Sequence, residues 1–108
     1  IDFEDDFDEI KKLEIYRVIQ ESLTNSAKHA NAKTITLTIY DKENELYILV
    51  SDDGIGIPKQ GVDDESDNDK MIHYGLQIMK ERVSILNGRC YINSIKNEGT
   101  KIEIIIPR

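Results

Sequence analysis

Residues 33–52 read "KTITLTIYDKENELYILVSD", and two periodicities within them decide the fold class. In "KTITLTIY" (33–40), Ile35, Leu37 and Ile39 alternate with threonines, the period-two pattern of a strand with one buried face. "LYILVSD" (46–52) is a second strand, and the polar "DKENE" before it joins the two as a hairpin. Upstream, residues 8–30 carry a helical pattern without Gly or Pro. Downstream, a Gly-, Asp- and Pro-rich segment at 53–73 is longer than most connections. It leads to a helix at about 75–87 with Gly88 as its C-cap, then to strands near 89–96 and 100–106. Helix, two strands, loop, helix and two strands predict an α+β fold, a two-layer sandwich with helices on one face of a largely antiparallel sheet.

The 108 residues make one domain, enough for a single two-layer core. Hydrophobic residues at 39% and charged ones at 32% are the balance of a soluble globular protein. A formal net charge of -7 argues against nucleic acid as the main partner, because phosphate binding calls for a basic surface. No apolar run is long enough to span a bilayer. The single cysteine, Cys90, has no partner for an internal disulfide and reads as a structural thiol in a strand.

Four clusters carry chemistry. The first is "ESLTNSAKHA", Glu21 to Ala30. At about 100° per residue, with Glu21 at zero, Asn25 falls at ~40°, Lys28 at ~−20° and His29 at ~80°. Tyr16, Ile19, Leu23 and Ala30 are expected on the opposite, apolar side. A carboxylate and an amide one turn apart are hard oxygen donors suited to Mg²⁺ or its bound water, and Lys28 can oppose phosphate charge. A solvated polar face is the plain alternative for this helix.

The second cluster, "SDDGIGIP" (51–58), puts Asp52 in phase with Leu46, Ile48 and Val50, so its carboxylate points at the core and needs a donor there. Gly54 and Gly56 beyond it leave space for close approach, and an exocyclic amine such as adenine's would satisfy the acid. The third, "HYGLQIMKERV" (73–83), places Gly75 at the expected helix start, where free N–H groups favour phosphate. The fourth, "NEGTKIEIIIP", puts Thr100 in phase with Ile102, Ile104 and Ile106, facing inward. The acidic "DDESDNDK" (63–70) reads as a solvated loop rather than a calcium loop, since Asn68 stands where a sharp-turn Gly is needed.

The order of these clusters resembles the GHKL ATPases. "ESLTN" is similar to their N box, "DDGIG" to the first glycine box, "YGLQIM" to the second, and "NEGT" to the Gly-Thr that closes the nucleotide site. With "KHA" and "GLQIMKERV", the chain most resembles the catalytic ATP-binding domain of sensor histidine kinases of the NarX/DesK/LiaS type, over roughly Leu13 to Pro107. The resemblance implies the Bergerat fold, with a mixed, largely antiparallel sheet and a mobile ATP lid at about 57–74. It implies ATP as substrate and Mg²⁺ as cofactor.

Carried over by residue, the resemblance implies that Asn25 coordinates Mg²⁺ through its amide oxygen and that Glu21 holds or activates a water near the metal and γ-phosphate. Lys28 and His29 approach the phosphates. Asp52 accepts from the adenine amine beside Gly54, Gly56 and Ile57, while Gly75 and Leu76 belong to the phosphate-binding box and Thr100 lies near Asp52. Lys59, Lys70 or His73 of the lid can close onto phosphate. Asp53 stands where many relatives have Asn.

Neither His29 nor His73 has the helical dimerisation setting of a phosphoacceptor, so the chain resembles an excised catalytic domain. The implied partners are a histidine-bearing dimerisation domain of the same parent protein and a response regulator. The implied setting is the bacterial cytoplasm, with the parent anchored in the membrane and this domain outside it. An anti-sigma-factor serine kinase and a non-catalytic nucleotide-binding module are the two alternatives.

Overall fold

The computed structural model describes residues 9–29, 31–58 and 66–108. The elements are α1 (Glu9–His29), β1 (Ile35–Lys42), β2 (Glu45–Asp52), α2 (Asp67–Ile85), β3 (Arg89–Ile95) and β4 (Gly99–Pro107). The four strands form one sheet in the order β1-β2-β4-β3, and each of its three pairings is antiparallel. Among the described residues this is the α+β sandwich that the alternating pattern predicts.

The hairpin between β1 and β2 turns through Glu43 and Asn44, whose φ angles of 52° and 63° match the mirror-image two-residue turns that suit twisted strands. From there α2 carries the chain across one face, so that β3 forms the far edge and β4 returns between β2 and β3. The central strands are therefore the buried ones. Leu46, Ile48 and Val50 of β2 and Ile102, Ile104 and Ile106 of β4 face the helices, each at most 2% exposed. Above them lie Ile15, Val18 and Ile19 of α1 and the stripe Ile72, Leu76, Met79 and Val83 of α2.

Three local expectations are corrected. First, α2 starts at Asp67, not near residue 75, so residues 67–74 of the expected lid form its first two turns. Ser66 caps it, its Oγ accepting from the Asp69 amide at 3.0 Å, and Asp67 and Asp69 lie at the positive end of the helix dipole. A polar sequence had concealed a well-capped start. Second, Asn87 rather than Gly88 takes the left-handed conformation that ends α2, with φ 58°. The Gly88 amide then donates to the Val83 carbonyl and the Asn87 amide to that of Ser84, both at 2.9 Å, a Schellman closure.

Third, the buried face of α1 consists of Ile15, Val18, Ile19, Ser22 and Ser26, whereas Tyr16 is 39% exposed and Leu23 only half-buried. Ala30 lies outside the described residues. Both α2 and the sheet cover α1, so its buried arc reaches round towards Asn25 instead of standing opposite it. The polar residues at 21 and 25 thus flank a seam between layers.

Candidate nucleotide site

Asp52 ends β2 directly opposite Thr100 of β4 in the sheet register, and both side chains point up towards the helices. Asp52 is 9% exposed and Thr100 6%. Two donors meet the acid: the Ser26 hydroxyl of α1 reaches Oδ2 at 2.8 Å, and the Gly54 amide reaches Oδ1 at 2.9 Å. An ionised carboxylate offers about four lone-pair positions, so about two remain for a ligand.

The loop after Asp52 is held from below. Ile57 donates its amide to Ser94 Oγ at 2.7 Å, and that hydroxyl lies 3.1 Å from Thr100 Oγ1. The Asn97 amide of the β3–β4 turn donates to the Ile55 carbonyl at 2.9 Å. Gly99, with φ 120°, begins β4 so close to the Asp52 carbonyl that any side chain there would collide with it. This is the physical requirement behind the glycine of "NEGT". Asp53 turns the other way: its Oδ1 accepts the Thr34 and Lys33 amides at 3.0 and 2.9 Å, tying the start of β1 to the loop. Those backbone donors, the one from Thr34 foremost, hold its pKa below the ordinary carboxylate value. An asparagine oxygen could accept the same pair.

A cleft opens over this floor, lined by Asn25, Ser26, Asp52, Gly56, Ile57, Pro58, Ile72, Leu76, Thr100 and Ile102. Its internal free volume is about 30 Å³, room for about one or two waters. Ile72 and Leu76 of α2 form one wall of it.

Asn25 stands at the helix-seam end of the cleft. Its Nδ2 is buried and has no hydrogen-bond partner. Since the two ends of an amide are assigned by their surroundings, an unsatisfied amide fits equally with an oxygen turned to a cation or its water. Across the seam, Gly75 lies in the interior of α2, which corrects the expectation that it opens a helix with free amides. What Gly75 supplies is space: a Cβ there would stand 3.0 Å from Glu21 Oε1 and 3.7 Å from Asn25 Oδ1.

The cleft thus gathers Asn25, Asp52, Gly56, Ile57, Leu76 and Thr100, with Gly54 bound to Asp52. Glu21 and Gly75 meet on its flank, where Glu21 also borders a groove with Arg17 and Arg82. Lys28 is exposed and does not line the cleft. The side chain of His29, and Lys59 of the expected lid, lie outside the described residues. Lys70 and His73 ride on α2, His73 beside Ile57 and Leu76 in an adjoining groove. No cluster of three metal-ligating His, Cys, Asp or Glu residues exists among the described residues.

Two residues of the site escaped the sequence reading. Ser26 follows Ile15, Ile19 and Ser22 at helical spacing, which is the signal that places it on the buried face. Ser94 follows Cys90 and Ile92 at strand spacing, which turns it towards the helices.

Residues 10–108 match the family model described as Histidine kinase-, DNA gyrase B-, and HSP90-like ATPase. The chain belongs to that family. Curated relatives include the sensor histidine kinase YdfH of Bacillus subtilis, 45% identical over 85% of this chain and 22% of its own length. LiaS of the same organism is 33% identical over 86% of the chain and 24% of its length. The histidine kinase domain of a blue-light activated kinase from Erythrobacter litoralis superposes with a TM-score of 0.71 at 25% identity, covering 90% of this chain and 44% of that one. The chain spans under a quarter of the length of the curated relatives named here. Among the described residues, no helix is long and apolar enough to cross a membrane.

Proposed function

We propose that this domain binds ATP·Mg²⁺ in the cleft and delivers the γ-phosphoryl group to a histidine on a separate dimerisation domain of the same parent protein. A response-regulator aspartate then receives it. The observation that carries this reading is the Asp52 carboxylate: buried, fixed by two donors, and left with acceptor capacity facing the cleft. An adenine amine matches that acceptor, whereas guanine presents a carbonyl at the equivalent position.

Asn25 and Glu21 form the phosphate end of this reading, with Gly75 and Leu76 beside them, while Lys28, exposed outside the cleft, would meet phosphate only from its rim. Mg²⁺ usually keeps several waters and binds through few protein groups plus substrate phosphates, which agrees with a site offering one amide and one carboxylate. Asn25 and Glu21 would hold the cation, which would supply charge neutralisation at the phosphates. Asn25 orients the polyphosphate, and Glu21 holds a water or the incoming group's proton. Transfer of this kind rests on positioning more than on covalent chemistry by the protein. The kinase reading places the domain on the cytoplasmic side of a membrane-anchored parent.

Calorimetry with ATP and GTP, each with and without Mg²⁺, tests the nucleotide half: Mg²⁺-dependent binding of ATP with GTP much weaker is expected, and equal affinities refute it. Labelled ATP with a histidine-bearing helical domain, or with a serine-bearing antagonist protein, tests the transfer half. Acid-labile label on the former is the expected outcome.

A further inference from the structure

Resting on the reading of the cleft as an adenine site, we infer that Ser26 is a positioning residue that sets the affinity for the adenine amine by fixing the plane of the Asp52 carboxylate. The contrast with Ser22, one turn earlier on the same buried face, carries the argument. Ser22 is 0% exposed and satisfies itself within the core: its hydroxyl lies 3.0 Å from the Val18 carbonyl and 3.0 Å from the Met79 sulfur. The bond to the carbonyl four residues back is the ordinary refuge of a helical serine. Ser26, 3% exposed, instead reaches out of its helix to Asp52 Oδ2 at 2.8 Å.

That bond has geometric work to do. The terminal torsion of an aspartate is broad and roughly two-fold, so rotamer preference alone does not hold the carboxylate plane. The Gly54 amide fixes Oδ1, and with Ser26 removed the group would pivot about that single attachment. With both donors in place, one from α1 and one from the loop, the plane is set, and the remaining lone pairs point into the cleft. Ser26 itself lines that cleft, and its hydroxyl is engaged by Asp52.

The test measures dissociation constants of ATP and inosine triphosphate for this chain and its variants. Inosine carries a carbonyl where adenine carries its amine, and a protonated N1 where that of adenine accepts, so it keeps the sugar and phosphate contacts but offers Asp52 no amine. Ser26→Ala is expected to weaken ATP roughly fivefold to tenfold, the loss of about one hydrogen bond's net contribution, while inosine triphosphate changes by less than about twofold. Ser26→Thr keeps the hydroxyl and should restore the ATP preference. Should Ser26→Ala not fold by circular dichroism, Ser26→Cys, with its poorer donor, reads the same ratio.

Unchanged ATP affinity in Ser26→Ala, or equal losses for both nucleotides, overturns the role of Ser26 and leaves the adenine site standing. A wild-type chain that does not prefer ATP to inosine triphosphate overturns the adenine site itself and this inference with it.

Discussion

The two ends of the cleft are built by opposite strategies. At the Asp52 end, each polar group is already engaged: Ser26 and Gly54 on the acid, Ser94 on Ile57 and beside Thr100, Gly99 pressed against the Asp52 carbonyl. At the Asn25 end, a buried amide nitrogen has no partner, and a glycine gap separates two helices beside a carboxylate. One end is preorganised by a sheet and its turns; the other keeps a buried amide nitrogen without a partner. The difference follows from the elements. Antiparallel strands fix residues in register, whereas α1 and α2 meet along a seam whose polar groups have no ladder to join.

If that contrast is functional, the largest effect belongs to the incomplete end. Asn25→Ala should cut phosphotransfer to an added acceptor domain on the order of 10²-fold or more, the range for removing one group that stabilises developing charge. Stability should hold or improve, because the change deletes an unsatisfied buried amide rather than a hydrogen bond. Retained transfer measured with labelled ATP would erase the distinction between the two ends.

The preorganised end should show its effect in binding. Asp52→Ala is expected to lose about 1.5–3 kcal/mol of ATP affinity, the range for a hydrogen bond to a charged group. Calorimetry reads it directly. An unchanged dissociation constant would mean that the bonds around Asp52 serve only the fold.

Gly75→Ala sharpens the contrast because stability and activity should part. Alanine in a helix interior is favoured over glycine by up to about 1 kcal/mol, and the nearest obstacle, Glu21 Oε1, is the far end of a flexible side chain. Thermal unfolding should therefore occur at the same or a higher temperature. The displaced carboxylate should still slow transfer between about tenfold and 10²-fold, as small misplacements at reacting groups do. Equal rates for wild type and variant would show that Gly75 spaces nothing of consequence.

The same contrast governs what could be read from the sequence. Strand alternation placed Asp52 and Thr100 inward correctly, because period two leaves only two faces to choose between. The helices were harder. Their buried arcs depend on which neighbours cover them, so α1 turned Ser22 and Ser26 inward and Tyr16 outward against the hydrophobicity of those residues. The start of α2 was hidden because capping chemistry, Ser66 with Asp67 and Asp69, uses the same residue types as a loop. Only Ile72, four residues ahead of Leu76, marked the stripe as already begun. Hydroxyl bridges such as Ser26 to Asp52 and Ser94 to Thr100 join residues distant in the chain or on separate strands, and no local pattern announces them.

The smallest effect concerns Asp53, which separates acid stability from nucleotide binding. Its carboxylate accepts the Thr34 and Lys33 amides and titrates below the ordinary value. A folded-state pKa below the unfolded one means that the unfolded chain binds the proton more readily. The contribution of Asp53 is thus fully present above the unfolded carboxylate pKa and is lost as pH falls through the folded one. Asp53→Asn keeps an oxygen for both amides but cannot titrate, so its unfolding midpoint in urea should match wild type near neutrality and fall less steeply on acidification below about pH 4, where model carboxylates titrate. ATP affinity should not move, because Asp53 faces β1 rather than the cleft. Parallel acid limbs for the two proteins would place the lowered pKa elsewhere, and a loss of ATP binding would mean that the tie to β1 also holds the Asp52 loop in its binding shape.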